Sequence, residues 1–553
     1  MLRLDLSAVD YTILAIYFVV VLGIGFIARL TIKTDLDFFL SGRSLPAWIT
    51  GLAFIAANLG ALEILGQAAN GAQYGVAAVH YYWIGAVPAM IFLGIVMMPF
   101  YYGAKVRSVP EYLRLRFNEA THAFNAATFA IATVLISGVN LFALALIIHL
   151  MLGWSIALAI LVAAAIVLVY ITLGGLTSAI YNEVLQFFVI VASLLPLTLV
   201  ALHGVGGVDG LKDRVRNFKP LGDPGLHAWQ GLGVGHVTNP LASDWVGIVF
   251  GLGFVLSFGY WTTNFAEVQR ALSARNMSAA RRTPLIGAYP KIFLPFIIIL
   301  PGLIATVSVK GLGGSDLALQ YNTAIPHLIG DYLPEGMLGL AVTGLLAAFM
   351  AGVAANVTAF NTVVTYDLIQ AYFAKDRDDQ FYLRMGRLVT VAGVLISVLT
   401  AFIAKGYSNI MNYIQTLFSI FNAPLFATFI IAMFWRRATP WGGFWSLVAG
   451  TAAAYGVNRL DAYNVIFHFG SPLSASFWQA IIAFLVDGAV LIVVSAFTQP
   501  KRESELKGLV WGLTRDPEEE EHPDPRDKLW WRSPELLGGV ALVLLVVLNI
   551  IFI

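Results

Sequence analysis

The chain has 553 residues, of which 59% are hydrophobic and only 12% are charged. A soluble domain carries about 25% charged residues, so most of this chain has to face lipid or other apolar segments. Its 33 Lys and Arg nearly balance 32 Asp and Glu, and a net charge of +1 argues against a nucleic-acid binder. The absence of cysteine excludes disulfides, thiolate metal sites and cysteine nucleophiles.

Apolar runs of about 20 residues, the length that crosses a bilayer, recur roughly fourteen times. They lie near residues 9–31, 46–72, 77–103, 121–151, 154–173, 177–203, 244–268, 286–308, 336–370, 386–404, 408–434, 440–458, 474–496 and 534–553. The first run is too long for a signal peptide, so we interpret it as a span. The sequence predicts an all-α polytopic protein embedded in the lipid bilayer of the plasma (inner) membrane.

Positively charged loops predict the orientation of these spans. The loops on one side of the predicted topology are rich in Lys and Arg, and they are Arg29–Arg43, Lys105–Arg116, Arg270–Arg282, Lys375–Arg387, Arg436–Arg437 and Lys501–Arg532. By the positive-inside rule this side is cytoplasmic. Both termini and the loop 204–243 are then external, while the loop 497–533 is cytoplasmic, and its acidic run Glu518–Glu521 is typical of a solvated linker.

Several function classes lack the motifs that they require. No G-x-x-x-x-G-K-[ST], H-E-x-x-H or G-x-S-x-G pattern occurs, and neither long loop could hold a nucleotide-hydrolysing domain. The nine histidines have no metal-ligand spacing, which argues against a membrane enzyme. Selectivity loops typical of channels are absent. A transporter-like sensor is a weaker alternative, and no obligate protein partner is evident.

Two predicted spans are interrupted by polar residues and glycines. The second span contains Asn58, Gly60, Glu63 and Gly66, and the seventh contains the run Ser257–Asn264. Five spans separate the start of one from the start of the other, so the two halves have opposite topologies. Paired interruptions of this kind predict a transporter with inverted repeats and a substrate site at the midplane. The alternative is that the small residues only permit close helix packing.

Ionisable residues within predicted spans are costly in hydrocarbon and therefore need an explanation. Glu63, Glu183 and Lys291 have none at the level of sequence. For the other carboxylates we expect structural roles: Glu267 and Asp367 pair at the interface with Arg270 and Lys375, and Asp487 makes a structural hydrogen bond.

Ordered motifs along the chain carry a family resemblance. The motifs are Asp37–Leu40, Gly42–Pro46, Ala56–Asn58, Gly174–Leu176, Tyr181–Gln186, Gln269–Ser278, Lys291, Pro295, Leu300–Gly302 and Tyr413–Gln415. Each motif is weak evidence alone, but their order along the chain and their fit to the predicted spans make the match strong. From about Asp37 to Gly443 the sequence resembles the sodium/solute symporter family, and within it the sodium–sugar cotransporter branch.

The resemblance implies a LeuT-type fold with two inverted five-helix repeats and about 14 transmembrane helices. It divides the chain into a leading helix and cytoplasmic loop (1–45), a first repeat (46–203), an extracellular loop (204–243), a second repeat (244–434) and trailing helices (435–553). The implied function is secondary active transport of a small-molecule solute by alternating access, driven by sodium and without an organic cofactor.

The resemblance also implies a substrate site. In the sugar branch, residues matching Asn58, Lys291 and Gln415 hydrogen-bond sugar hydroxyls, and Tyr81 and Tyr260 match aromatic residues of the site. Other positions depart from the branch: Glu63 replaces Gln or His, Tyr82 replaces a sugar-binding Glu, and Gly85 and Ser257 replace Ser and Asn. A sugar or polyol is the favoured substrate, and an amino acid, another zwitterion or a cation bound by Glu63 is the alternative.

The ion site implied by the resemblance is incomplete. Family members hold sodium with backbone carbonyls matching Ala56 and Leu59 at the first interruption, and with a carbonyl matching Ala348 in the ninth span. Two hydroxyls complete the site, because sodium is a hard cation that prefers several oxygen ligands. Aligned without gaps, their positions are Ala351 and Gly352, which have no side-chain oxygen.

Three ways of driving transport therefore stay open, and family membership favours sodium among them. In the first, sodium binds with water or other oxygens completing its shell, for which Asn356, Thr358 and Thr362 are neighbouring candidates. In the second, protons drive transport and Glu63 or Glu183 titrates. In the third, transport is uncoupled. Glu183 matches an Asp that the family places near the cytoplasmic ion exit, so we expect it on the ion path.

Overall fold

We analysed a computed structural model of the chain. It describes residues 4–31, 41–103, 106, 108–463, 465–513 and 529–553. The motif Asp37–Leu40 and the acidic run Glu518–Glu521 lie outside the described residues. Within them the chain is almost entirely helical, and its one small sheet pairs Leu232–Gly233 with His236–Val237 in antiparallel register.

Ten described helices are long and apolar enough to cross a bilayer. They are Ala8–Ile27, Tyr81–Tyr102, Glu119–Leu152, Leu176–Gly204, Met277–Ser308, Met337–Phe373, Asp379–Ala404, Ile410–Phe434, Pro472–Phe497 and Pro534–Ile551. Shorter helices connect them and include Val109–Arg116, Gly207–Asn217 and Ala324–Tyr332. These elements confirm the prediction of an all-α polytopic architecture.

Two further spans are broken, at the positions where the sequence predicted interruptions. The first broken helix consists of Ala47–Asn58 and Leu62–Val79, which meet at a bend of 56°. The second broken helix consists of Gly247–Thr263 and Phe265–Leu272, which meet at 50°. Counting each bent pair as one span gives up to twelve spans in the described part of the chain.

The predicted number of fourteen spans is not confirmed. The predicted spans 154–173 and 177–203 both fall within the continuous helical stretch Ile156–Gly204, whose portion Ile156–Val169 is shorter than a span. The predicted span 440–458 is the helix Pro440–Ala462. This helix does not pass the same test of apolar character, because its glycines, tryptophans and polar residues keep its mean hydropathy low.

The first broken helix packs closely against its neighbours through small residues. At Gly302, in the helix Met277–Ser308, an added Cβ would lie 1.9 Å from the carbonyl oxygen of Ala68. At Gly344 an added Cβ would lie 1.9 Å from Oγ of Ser193. Glycine at these positions permits the close helix contacts that are typical of membrane bundles. Gly302 lies against the first broken helix, and Gly344 lies between Met337–Phe373 and Ile156–Gly204, so neither position has room for a side chain.

Candidate functional site

A polar cavity lies between the two broken helices. The space between its walls is about 480 Å³ with the adjoining open solvent included, and about 50 Å³ of it admits the centre of a water molecule. Its lining residues are Asn58, Leu62, Glu63, Gln67, Tyr81, Ala86, Leu252, Leu256, Ser257, Tyr260, Trp261, Lys291, Met411, Gln415 and Phe418. Seven of the eight predicted substrate-binding residues line it, and the eighth, Tyr82, lies behind Lys291.

Irregular helical geometry directs several of these side chains into the cavity. Asn58 ends the first half of the first broken helix, where the backbone of Leu59 leaves the helical conformation. Glu63 follows in the short π-helix Leu62–Gly66, and Tyr81 begins another, Tyr81–Ala86. Because π-helical turns change the direction of side chains and are frequent at functional sites, this geometry favours a binding site here.

Lys291 is the central polar residue of the cavity wall. Its Nζ donates to Oε1 of Glu63 and to Oδ1 of Asn58, both at 2.5 Å. The same ammonium lies 4.8 Å from the centroid of the Tyr82 ring and 5.0 Å from that of Trp261. The side chains of Lys291 and Glu63 are only 2% and 8% exposed. A buried cation of this kind is stabilised by its carboxylate and by the two aromatic faces.

A chain of hydrogen bonds connects the two broken helices. Nδ2 of Asn58 donates to Oη of Tyr260 at 3.1 Å, and Tyr260 donates to Oε1 of Glu267 at 2.6 Å. Glu267 is 1% exposed. The expected interfacial pairing of Glu267 with Arg270 is therefore wrong, since Glu267 is buried and bonded to Tyr260, and Arg270 binds Glu183 instead.

Gln415 and Ser257, two further predicted residues, differ in whether they can still form a hydrogen bond with a ligand. Nε2 of Gln415 is 3.3 Å from Sδ of Met411, a weak acceptor, and its Oε1 has no hydrogen-bond partner among the described residues. Oγ of Ser257 donates to the carbonyl oxygen of Leu252 at 2.8 Å. Gln415 therefore has an oxygen available for a ligand, whereas the Ser257 proton is already donated.

Comparison with known proteins identifies the family. The model of the Sodium:solute symporter family matches residues 38–450. The chain belongs to this family. Sodium/glucose cotransporter 1 of Ovis aries is 28% identical over 94% of this chain and 83% of that protein. Sodium/glucose cotransporter 4 of Homo sapiens is 29% identical over 92% of this chain and 79% of that protein. These relatives are transporters, as the sequence predicted, and not enzymes.

Solved structures establish the fold of this family member. A substrate-bound, outward-open Na⁺-coupled sialic acid symporter superposes with a TM-score of 0.74 at 17% identity, covering 90% of this chain and all of that one. A closed nucleobase-cation-symport-1 family transporter with bromovinylhydantoin bound gives 0.52 at 16% identity, covering 87% of this chain and 99% of that one. The LeuT-type fold predicted from the motifs is confirmed.

The positions expected to bind sodium in this family member carry no side-chain oxygen. Ala56, Leu59, Ala348, Ala351 and Gly352 are all buried, and the last two supply no side-chain oxygen. The carbonyl oxygen of Ala56 already accepts the N–H of Leu59 at 3.0 Å.

The three candidate substitute ligands donate hydrogen bonds within their own helix. Nδ2 of Asn356 donates to Gly352 at 2.8 Å, and the hydroxyls of Thr358 and Thr362 donate to Ala355 and Thr358 at 3.0 and 2.9 Å. In the described part of the chain, no group of three or more Asp, Glu or His side chains could hold a metal ion.

Glu183, the predicted ion-path residue, lies outside the cavity. Its carboxylate forms a buried, two-pronged ion pair with the guanidinium of Arg270, and both side chains are 0% exposed. The pair connects the helix Ile156–Gly204 to the second half of the second broken helix. A role for Glu183 on the ion path stays a prediction.

Two other carboxylates have structural partners. Asp367 accepts from Oγ of Ser108 at 2.8 Å and lies 2.9 Å from Nε2 of His122, so the expected pairing with Lys375 is wrong. Asp487 accepts from the hydroxyl of Thr428 at 3.0 and 3.1 Å, which confirms the expected structural hydrogen bond.

Sequence reasoning missed several residues of the site. Gln67 and Met411 each lie four positions from a predicted residue, Glu63 and Gln415, and therefore share its helix face. That spacing was available in the sequence. Glu267 was assigned to the wrong partner. Asn140, which contacts the first break, gave no comparable signal, because it is an isolated polar residue in a long apolar helix.

Proposed function

We propose that this protein is a secondary active transporter that carries a small neutral polyhydroxylated solute, a sugar or polyol, across the membrane by alternating access. The observation that supports this most directly is the cavity where both broken helices meet, with Lys291, Asn58 and Gln415 on its wall. Directed hydrogen-bond donors and acceptors beside aromatic rings suit a molecule with several hydroxyl groups. The sugar transport named for its relatives supports the same substrate class.

The ion pair in the cavity favours a neutral solute over a charged one. Glu63 and Lys291 contact each other directly, so their charges compensate inside the wall. A cation bound by Glu63 would have to displace Lys291 and leave a buried ammonium without its carboxylate, which is strongly unfavourable. A zwitterion would have to separate the pair. A hydroxyl group can accept or donate a hydrogen bond without breaking it.

Uptake into proteoliposomes tests this assignment. Purified protein is assayed with a panel of labelled sugars, polyols and amino acids, and we expect saturable uptake of one or more sugars or polyols only. Gln415→Ala should weaken the apparent affinity for that solute about tenfold, the effect of losing roughly 1.4 kcal/mol of hydrogen bonding. Gln479→Ala is the matched control, since Gln479 is a buried glutamine that does not line the cavity.

Either of two results would contradict the assignment. Uptake of amino acids without any uptake of sugars would show that the transported solute is a zwitterion and not a neutral molecule. An unchanged affinity in Gln415→Ala would show that the inherited sugar site is wrong.

For the driving ion we propose protons, with Glu267 as the titrating group, as a second candidate beside the sodium that relatives use. Near the two breaks, the buried carboxylates Glu63, Glu183 and Glu267 lie close to two buried cations, Lys291 and Arg270. The first two each contact one cation, while Oε2 of Glu267 has no hydrogen-bond partner in the described ranges. A buried carboxylate without a contacting cation is stabilised by taking up a proton.

The surroundings of Glu267 combine charges of both signs. The nearby titratable and charged side chains are Tyr260 and Arg270 on the same broken helix, Lys291 on Met277–Ser308 and Glu183 on Ile156–Gly204. The chain from Glu267 through Tyr260 to Asn58 reaches the cavity wall. Protonation at Glu267 would therefore be coupled to the hydrogen bonds available to a solute.

Separate gradients distinguish the candidate ions. We expect uptake to respond to an imposed proton gradient and to ignore a sodium gradient, and Glu267→Gln to abolish the proton response. Glu503→Gln, at an exposed ion pair with Arg436, is the control. Uptake driven by sodium alone, or an intact proton response in Glu267→Gln, would refute this proposal while leaving the transporter assignment in place.

A further inference from the structure

Asn140 lies in the gap between the first break and the helix Met337–Phe373. It belongs to the helix Glu119–Leu152, and its side chain is 2% exposed. Oδ1 accepts the backbone N–H of Ala61 at 2.7 Å, and Nδ2 donates to the carbonyl oxygen of Ile136 at 3.2 Å. The amide group is therefore held at both ends, with its oxygen directed at the break.

Two glycines make room for this oxygen. A Cβ added to Gly60 would lie 2.3 Å from Oδ1 of Asn140, and a Cβ added to Gly352 would lie 2.2 Å from it. Nonbonded carbon and oxygen atoms do not approach this closely, so any side chain at either position is incompatible with Asn140 in its present place. The asparagine and the two glycines form one interdependent arrangement.

This arrangement explains the missing hydroxyl at Gly352. Gly352 is one of the two positions where the family resemblance implies a hydroxyl ligand for sodium. A serine there would carry its Cβ into the amide of Asn140, so the hydroxyl and the asparagine exclude each other. The sequence departs from the family at this position because another side chain occupies the space.

The amide also performs a structural task at the break. Ala61 begins the second half of the first broken helix, and the first N–H groups of a helix have no partner within it. Oδ1 of Asn140 satisfies one of them, as an N-cap side chain would, although it comes from a different helix. It therefore ties the break to the helix Glu119–Leu152 while it contacts Gly352 of a third helix.

The oxygens near the break do not fit a sodium ion. Oδ1 of Asn140 accepts from Ala61, the carbonyl of Ala56 accepts from Leu59, and the carbonyl of Gly352 accepts from Asn356. Sodium would need several oxygens directed at one point, by the same logic as other hard cations. Here the oxygens are each directed at a protein donor.

We propose that Asn140 takes the place of the coupling cation at this break, so that the position binds no sodium and the amide joins the three helices instead. This inference rests on the proposed transport function. During alternating access the contact would then open and close by movement of a side chain, without an ion entering or leaving. Transport by this family member would need no sodium at the position where the resemblance implies it.

Direct binding of ²²Na⁺ to the purified protein tests the inference. We expect no saturable binding to the wild type and no rise in its unfolding temperature when potassium is replaced by sodium. The triple variant Asn140→Ala/Ala351→Ser/Gly352→Ser removes the amide and supplies two hydroxyls, and we expect it to gain saturable ²²Na⁺ binding. The double variant Ala351→Ser/Gly352→Ser keeps the amide, and we expect it to bind no sodium and to unfold at a lower temperature.

A pair of simpler variants tests the steric argument if the triple variant does not fold. Gly352→Ala and Asn140→Ala should each unfold at a lower temperature than the wild type, the first through the clash and the second through the lost bond to Ala61. Asn140→Ala/Gly352→Ala should lose less than the sum of the two, because the clash is gone. Gly539→Ala is the matched control, since a Cβ at Gly539 meets no atom within 4 Å. If the losses of the two single variants simply add, the steric exclusion is refuted.

One result would overturn the inference directly. Saturable ²²Na⁺ binding to the wild type that Asn140→Ala abolishes would show that the amide oxygen is a sodium ligand rather than its replacement. These measurements need no transported solute. A wrong substrate class therefore leaves them unaffected, whereas failure of sugar uptake contradicts only the proposed function.

Discussion

The contact between Glu63 and Lys291 should dominate the stability of the cavity wall. Nζ and Oε1 are 2.5 Å apart with both side chains buried. Over 2.5 Å, two unit charges attract by about 7 kcal/mol at an effective dielectric constant of about 20. The hydrogen bond to Asn58 and the rings of Tyr82 and Trp261 remain when Glu63 is neutralised. We therefore expect Glu63→Gln to cost about 3 kcal/mol, the lower end for breaking one side of a buried pair.

Thermal unfolding of the purified protein measures this cost. At about 2 °C per kcal/mol, the lower end for large domains, Glu63→Gln should unfold about 6 °C below the wild type. Lys291→Met should also be destabilising, because it leaves the carboxylate buried alone. The double variant Glu63→Gln/Lys291→Met should lose less than the sum of the two, with a coupling of about 1–3 kcal/mol.

An exposed lysine provides the control for these variants. Lys310→Met changes an exposed lysine outside the cavity and should leave the unfolding temperature unchanged. If Glu63→Gln unfolds with the wild type, or if the losses of the two single variants simply add, the two charges do not stabilise each other and the argument for a neutral solute loses its basis.

Three other changes have defined expectations. Tyr260→Phe removes the hydroxyl that links Asn58 to Glu267, and we expect the affinity for the solute to fall about tenfold. Tyr407→Phe, at an exposed tyrosine, is the control. An unchanged affinity in Tyr260→Phe would show that Tyr260 does not contribute to binding. Gly302→Ala places a Cβ 1.9 Å from the carbonyl oxygen of Ala68 and should cost about 1–3 kcal/mol in a thermal unfolding assay, a loss that the open position Gly539→Ala should not show. Asp487→Asn keeps an acceptor for Thr428 and should leave uptake unchanged, whereas a loss of uptake would give Asp487 a transport role.

The fold was largely predictable from sequence because lipid imposes a simple rule on length and polarity. Apolar runs located the spans, and the clusters around Asn58 and Tyr260 located both breaks. The helix Pro440–Ala462 shows where the rule weakens, since glycines, tryptophans and polar residues along it lower its mean hydropathy. Hydropathy alone therefore fixed the architecture but not the number of spans.

The partners within the site were much less predictable. Glu63 and Lys291 were each identified as costly residues in spans, but their contact joins positions 228 residues apart. Arg270 lies three positions from Glu267, which suggested a local pair, yet Glu183 from a distant helix takes the guanidinium. The spacing of polar and apolar residues predicts which face of a helix a side chain lies on. It does not predict which side chain from a distant helix contacts that face.

The hydrogen bonds among Lys291, Asn58 and Tyr260 have a consequence for how tightly a solute can be held. Lys291, Asn58 and Tyr260, three of the residues that a hydroxylated solute would use, are already bonded to one another. At these residues binding exchanges internal hydrogen bonds for external ones, and the net gain per hydroxyl is small. This part of the wall therefore holds a solute weakly and regains its own contacts when the solute leaves. Because binding is weak, the solute can dissociate readily on either side of the membrane.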